Sequence, residues 1–402
     1  MRTQTVKHRL PNPKLLGVLA LGAFLVGLDS QLVVTLVPAM TASVHVPADH
    51  GGLLVTVYAL AYALSAPIFG PISDRRGRKL VLLIGLAVLG ISTALTSEGH
   101  TFGELLAFRA AAGCGGGMVM PTLFALVGDT IPAAQRGQAM GLVMGALLSA
   151  SVIGIPLGSF LAYGTTWRTP FWAVGLLAGL AIAVAGKAIS PRLAQISTPP
   201  SLGSLYRRQL RTAFTQRPVF FSLLSSFLWM GSLYGMFAYV GVYYTQNFHL
   251  NVASIGLIIM LGGFANMMGN IVGGRISDAI GGRRVMVGAS LVATLCGVAF
   301  SLVTHHLVAA IVAQAIWNIA LGSGTATLTA IVSELSPAIR GAILSLNSSA
   351  MYLGAALATA TSAALLLGGG FFRVGVVCGM ASMVVGPMVY YFVSTRRAGV
   401  VQ

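Results

Sequence analysis

Two ionisable residues stand alone in long apolar stretches, Asp29 within FLVGLDSQLVV and Arg109 within LLAFRAAAGCG. An apolar setting draws a carboxylic acid toward its neutral form, and a nearby cation draws it toward its charged form. An acid held between the two can take up and release a proton. It can also hold a cationic ligand. No catalytic set accompanies the pair: the chain has no H-E-x-x-H, no G-x-S-x-G and no paired acids. Neither enzymatic activity nor a cofactor is expected. His45, His50, His100, His249, His305 and His306 fall in predicted loops at spacings that match no ligand motif, so no metal is expected either.

The elements that must position Asp29 and Arg109 are membrane spans. Hydrophobic residues make up 56% of 402 and charged residues only 8%, against about 25% charged in a soluble domain. Residues 218–274 and 285–333 contain no charge at all. A bilayer span needs roughly 20 mostly apolar residues, so each of these runs holds two. Counting in this way predicts an all-α membrane protein of twelve transmembrane helices: 15–38, 52–71, 80–97, 102–126, 138–162, 169–188, 219–244, 252–273, 285–304, 307–331, 342–366 and 371–393. The first is too long for a signal-peptide core and no A-x-A site follows it, so it counts as a span.

The net charge of +16 is not a nucleic-acid signal. Of the Lys and Arg residues, only Arg168 and Arg373 fall beyond the far end of the predicted spans and Arg109 inside one; the rest lie at one end. That bias puts both termini in the cytoplasm of a bacterial inner membrane. Cys114, Cys296 and Cys378 sit inside spans, so no disulfide framework is implied.

The chain repeats itself. GPISDRRGRK, from Gly70, and GRISDAIGGRR, from Gly274, lie 204 residues apart, and DTIPAAQRG, from Asp129, matches ELSPAIRG, from Glu334. The expected organisation is a six-helix bundle at 1–188, a cytoplasmic linker at 189–218 and a second bundle at 219–402, the two related by a parallel pseudo-repeat. In the linker Leu205, Leu210 and Phe214 alternate with Arg207, Arg208 and Arg211, a pattern for a helix lying on anionic lipid. Two parallel-repeat halves describe a transporter with a midplane site between them.

GPISDRRGRK resembles the loop 2–3 signature of the major facilitator superfamily, and RAAAGCG from Arg109 its helix-4 signature. LDSQLVVTLVP, Leu28 to Pro38, resembles the helix-1 signature of its twelve-helix drug:proton antiporter branch. ASVIGIPLGS resembles the helix-5 antiporter signature, with Ala150 and Ser159 in place of glycines and Ile155 in place of a proline. The resemblance implies that Asp74, Arg78 and Asp129, with Asp278 and Glu334 as their repeats, form latches that close the cytoplasmic side, Arg78 partnering Asp129. Gly70 and Gly274 are expected to let neighbouring helices approach. The pairs Gly113 and Gly117, Gly141 and Gly145, and Gly154 and Gly158 are expected to serve helix packing.

Depth sharpens the first observation. Asp29 lies about 21 Å along its helix, leaving roughly 9 Å to the outer edge of a core about 30 Å thick. Arg109 lies about 8–12 Å from the same edge. Both are expected to couple protons to transport, Asp29 also touching substrate. Adding 204 gives Leu233 and Ala313, so the second half lacks an equivalent charge and should mainly shape the pocket. Tyr62, Trp229, Gln314, Trp317, Asn318 and Tyr352 are its candidate substrate contacts, with Met118, Met120, Met230, Met236 and Met351 on the same helices as adaptable packing. The function expected is secondary active export of amphipathic, drug-like molecules, cationic ones included, in exchange for protons by a monomer. A dedicated exporter of one metabolite class, or an uncoupled facilitator, fits the same residues. An ion channel would need charge rings or carbonyl filters.

Overall fold

The computed structural model describes residues 13–189, 215–335 and 340–393. Most of the expected linker, with its amphipathic stretch, and the side chain of Glu334 lie outside them. The described residues are helical, with no strand, and twelve helices are long and apolar enough to cross a membrane.

In the first half these are α1 (Pro13–Ser43), α2 (Leu53–Arg76), α3 (Arg78–Ser97), α4 (Phe102–Thr130), α5 (Ala133–Ser149, continued through a π-turn at Ala150–Gly154 into Ile155–Gly164) and α6 (Thr169–Ala188). In the second they are α7 (Arg217–Phe237, resumed at Val240–Phe248), α8 (Val252–Ile280), α9 (Gly282–Leu302), α10 (Leu307–Glu334), α11 (Leu346–Gly368) and α12 (Gly370–Phe392). Helical hydrogen bonding runs on from Arg340 to Phe392, but Gly370 takes φ +76° and the chain reverses there. Phe392 consequently stacks on Phe221 of α7, ring centroids 4.4 Å apart.

Local sequence sets several boundaries. Thr101 and Glu104 form a reciprocal capping box at the start of α4, and the Asn251 side chain caps α8. The α2–α3 and α8–α9 junctions turn on Gly77 and Gly281, at φ 99° and 92°, a region open to glycine at no steric cost. The same offset of 204 relates His45 and His249, which share left-handed φ values of 56° and 54°.

Packing repeats as the sequence does. In the first half α1 packs on α5, α2 on α4, and α3 on both α4 and α6; in the second α7 packs on α11, α8 on α10, and α9 on both α10 and α12. The register is not uniform. α3 has 20 residues and α9 has 21, which pushes α10 one place along. A Cβ at Gly117 of α4 would strike the Tyr62 carbonyl and the Ala66 amide; one at Gly322 of α10 would strike the corresponding Asn266 carbonyl and Asn270 amide. These two glycines are 205 apart, so the counterpart of Arg109 is Gln314 and not Ala313 as the uniform offset predicts.

The contacts that join the halves cluster toward the end opposite the basic loops. The Thr56 and Thr359 hydroxyls are 2.6 Å apart, and the Tyr62 and Tyr352 rings stack at 3.7 Å. A Cβ at Gly241 would collide with the Val34 carbonyl, and one at Gly263 would come within 2.7 Å of the Ser151 side chain. Toward the basic end α5 and α8 offer no such contact at their glycines: Gly141, Gly145 and Gly274 have nothing within 4 Å of a Cβ position, and Gly70 has only Pro121 at 4.0 Å. The expectation that Gly70, Gly274 and the Gly141–Gly145 pair hold helices close is therefore corrected. They look onto open space, and close approach falls instead at Gly113, Gly117, Gly154 and Gly158.

Candidate functional site

α1 carries Asp29, α3 carries Thr93, α4 carries Arg109 and α2 carries Tyr58. The packing of the first half brings all four together. Asp29 is 1% exposed and Arg109 0%. Arg109 Nη1 donates to Asp29 Oδ1 at 2.8 Å, and Nη2 donates to the Asp29 backbone carbonyl at 3.0 Å. Thr93 Oγ1 donates to the same Oδ1 at 2.8 Å. The guanidinium lies 4.5 Å from the centroid of the Tyr58 ring, a cation–π contact in a dry setting. Gly113 makes this approach possible, because a Cβ there would collide with the Tyr58 carbonyl.

The satisfied and unsatisfied atoms divide the site. Oδ1 takes two donors, whereas Oδ2 is buried with no partner, as are Arg109 Nε and the Tyr58 hydroxyl. A carboxylate with one oxygen saturated and the other bare has one place to receive a proton. Removing either member of a buried ion pair costs about 3–5 kcal/mol, because the charge left behind is uncompensated.

A second polar cluster sits at the basic end. Arg78 donates through Nε to Asp129 Oδ2 at 2.9 Å and through Nη1 to Ser73 Oγ at 2.6 Å, and it also pairs with Asp74, which is 46% exposed. The cluster ties α2, α3 and α4 of the first half to one another. Its repeat differs. Asp278 is exposed, and Gly282 stands where Arg78 would be.

The expected pocket residues separate into three places. Tyr62 and Tyr352 meet between the halves. Trp229 donates to the Leu321 carbonyl and to Thr325 Oγ1, at 3.2 and 3.1 Å, and lines a recess with Ser226 and Asn347. Gln314, Trp317 and Asn318 lie inside the second half. Gln314 Oε1 accepts from the Tyr244 hydroxyl at 2.6 Å, Asn318 Nδ2 donates to the Gln314 carbonyl at 2.9 Å, and Trp317 stacks on Phe300 at 6.3 Å. Met118, Met120 and Met236 are buried packing, while Met230 and Met351 line the recess. Asp29 bonds to none of these residues; Tyr58, under the Arg109 guanidinium, stands one helical turn before Tyr62 on α2.

The Major Facilitator Superfamily profile matches residues 19–359 and 242–401. The chain belongs to this superfamily. Among its relatives is the uncharacterized MFS-type transporter YceJ of Bacillus subtilis, 31% identical over 84% of this chain and 85% of that one. YwfA of the same organism, also an MFS-type transporter, is 27% identical over 92% and 90%. The quinolone resistance protein NorA of Staphylococcus aureus is 32% identical over a shorter stretch, 41% of this chain and 42% of its own.

Within this major facilitator fold, sequence reasoning missed Thr93, Tyr58, Ser226 and Asn347. The equal depth of Asp29 and Arg109 was legible because charge is rare in a span. A threonine, a tyrosine, a serine or an asparagine carries no such signal, since each has many copies in the spans. Only the packing of α2 and α3 against α4 selects Tyr58 and Thr93.

Proposed function

We propose that this major facilitator transporter is a proton-coupled exporter of amphipathic small molecules, working by alternating access. The observation that carries the reading is the buried Asp29–Arg109 pair with its bare Oδ2. Intramembrane charge is costly and is kept where it has work to do. The basic loops are read as cytoplasmic, in a bacterial inner membrane with both termini inside. The contacts at Thr56–Thr359 and Tyr62–Tyr352 then close the outer side, and this conformation opens inward, ready to load substrate.

A chain of contacts leads from the charge to the interface. Two residues beyond Asp29, Gln31 Oε1 accepts from Ser151 Oγ at 2.6 Å, and Ser151 lies in the π-turn of α5. Single π-turns occur frequently at functional sites. Ser151 in turn faces Gly263 of α8, across the halves. Protonation of Asp29 loosens α1 from α3 and α4, and α1 passes that change to the α5–α8 contact. Arg78, Asp74 and Asp129 hold the basic ends of α2, α3 and α4 as one unit that meets the second half when this side closes. NorA, named for quinolone resistance, supports a drug-like substrate, and the monomer holds every residue the cycle uses.

The test uses inside-out vesicles, in which the basic end faces the bath. Ethidium should accumulate inside when a proton gradient is imposed and leak back when an ionophore collapses it. Accumulation no greater than in vesicles lacking the protein overturns the export reading, and equilibration without accumulation makes the protein a facilitator. A cysteine at the exposed position Ala279 should react with an impermeant thiol reagent in inside-out vesicles and not in intact cells.

A further inference from the structure

The recess beside Trp229 contains two buried polar atoms that the fold itself does not use. Ser226 and Asn347 are 3% and 4% exposed, and neither Ser226 Oγ nor Asn347 Oδ1 has a hydrogen-bond partner. The other polar groups of the wall are committed. Trp229 Nε1 and Thr325 Oγ1 bond each other, Thr325 Oγ1 also donates to the Leu321 carbonyl, and Thr329 Oγ1 donates to the Thr325 carbonyl. Leaving a buried polar atom unpaired carries the full cost of its desolvation, so a native fold that keeps two in one hollow marks a place for a ligand.

We propose that Ser226 and Asn347 form a substrate subsite that takes an uncharged hydrogen-bonding group, such as a hydroxyl, attached to an aromatic or aliphatic ring. The inference deepens the export reading and rests on it for the direction of loading. The chemistry follows from the inventory. Asn347 Oδ1 accepts, and the Ser226 hydroxyl can donate to the ligand's oxygen. No residue lining the recess is charged, so an ion entering it would be desolvated without compensation. The indole of Trp229 and the thioethers of Met230 and Met351 supply the apolar wall, and thioethers adapt to differently shaped rings. The enclosed room is only about 10 Å³, about that of one water-sized group. The recess therefore takes the hydrogen-bonding group alone, and the ring that carries it stays at the open mouth.

Its position fits loading from the basic side. Thr329 lies five residues before the end of α10 at Glu334 and Trp229 twelve residues beyond the start of α7 at Arg217, so the recess spans depths of about 8–18 Å from the basic end. Thr329 is exposed at that side. Asp29 belongs to the other half and is not among the residues that line the recess.

The experiment compares phenol with toluene, equal in ring and nearly equal in size, on the purified full chain. Binding is read by saturation-transfer NMR as the difference between wild type and the Ser226→Ala/Asn347→Leu double variant, which cancels partition into detergent. Phenol should bind the wild type and lose about tenfold or more in the variant, whereas toluene should change less than twofold. Thermal stability of the variant should be unchanged or higher, because two unpaired polar atoms have been removed. Equal losses for both probes, or no phenol signal specific to the wild type, overturns the subsite and leaves the recess as a place for water. A lowered melting temperature with unchanged phenol binding overturns it as well and assigns the pair to packing. None of these readouts depends on a proton gradient. A failed ethidium assay with the phenol result intact therefore removes the export reading and not the subsite.

Discussion

The two halves of the molecule share a packing plan and differ in what they bury. In the first, Asp29 and Arg109 pair at 2.8 Å and Tyr58 lies under the guanidinium. In the second, Leu233 stands for the acid and Gln314 for the cation, and Gly262 stands for Tyr58, with the Gln314 amide 3.0 Å from where its Cβ would be. The loops differ in the same sense. Arg78 gathers Ser73, Asp74 and Asp129, whereas its counterpart is Gly282. The two scaffolds are alike, and among the described residues only the first buries an ion pair. On the proposed function, protons act on one half and uncharged groups are bound by the other.

The largest break in this comparison is Asp29→Asn. The amide keeps size and hydrogen bonding but cannot ionise. Gradient-driven accumulation should fall to background while phenol still binds at the Ser226–Asn347 recess. Full proton-driven export by this variant would show that the buried pair of the first half is structural. The asymmetry between the halves would then say nothing about coupling.

Arg109→Gln comes next, because it writes the second half's own residue into the first. It strands a buried carboxylate at a cost of about 3–5 kcal/mol. The matching change in the second half, Gln314→Leu, removes only a neutral bond to Tyr244 and exposes no charge. It should cost about 1–2 kcal/mol. Equal losses of melting temperature in the two variants would erase the distinction.

The loops give a smaller contrast. Asp74→Asn should leave folding and insertion intact and slow transport about tenfold or more, because an arginine already committed to Asp129 and Ser73 loses its second acid. Asp278→Asn should change transport less than twofold, since that acid is exposed and no arginine stands at position 282. The rate of ethidium accumulation in inside-out vesicles measures both.

Much of this was legible in the chain. Spans show as long charge-free runs, the repeat shows as matched charged loops, and the depth of Asp29 against Arg109 follows from helix rise alone. Two things were missed. The one-residue shift that makes Gln314 the counterpart of Arg109 arises from the extra residue in α9; the match of Asp129 to Glu334, 205 apart, carries it, and the offset of 204 between the charged loops hid it. Glycine roles also misled, because a glycine in a span looks the same whether it meets a carbonyl, as Gly113 does, or open space, as Gly274 does. Which it meets depends on which side of its helix a neighbour covers, a property of packing and not of local sequence.

Thr93→Val tests the comparison most finely. Valine keeps the shape of threonine and removes one of the two side-chain donors on Asp29 Oδ1, leaving the Arg109 contact in place. A hydrogen bond to a charged group is worth about 1.5–3 kcal/mol. Stability should fall by about that amount, since the methyl fills the space but the carboxylate loses a donor. Transport should persist with a displaced pH profile, because one of the two donors that hold Oδ1 is gone. The counterpart of Thr93 at an offset of 204 is Gly297, which has no side chain to donate and packs against Trp317. Gly297→Ala should therefore leave the pH profile where it is and act through packing alone, as its Cβ would stand 3.1 Å from Trp317 Nε1. An unshifted profile in Thr93→Val would mean that Arg109 alone sets the protonation of Asp29. A shift of similar size in Gly297→Ala would mean that packing in either half reaches the acid, and charge handling would no longer belong to the first half alone.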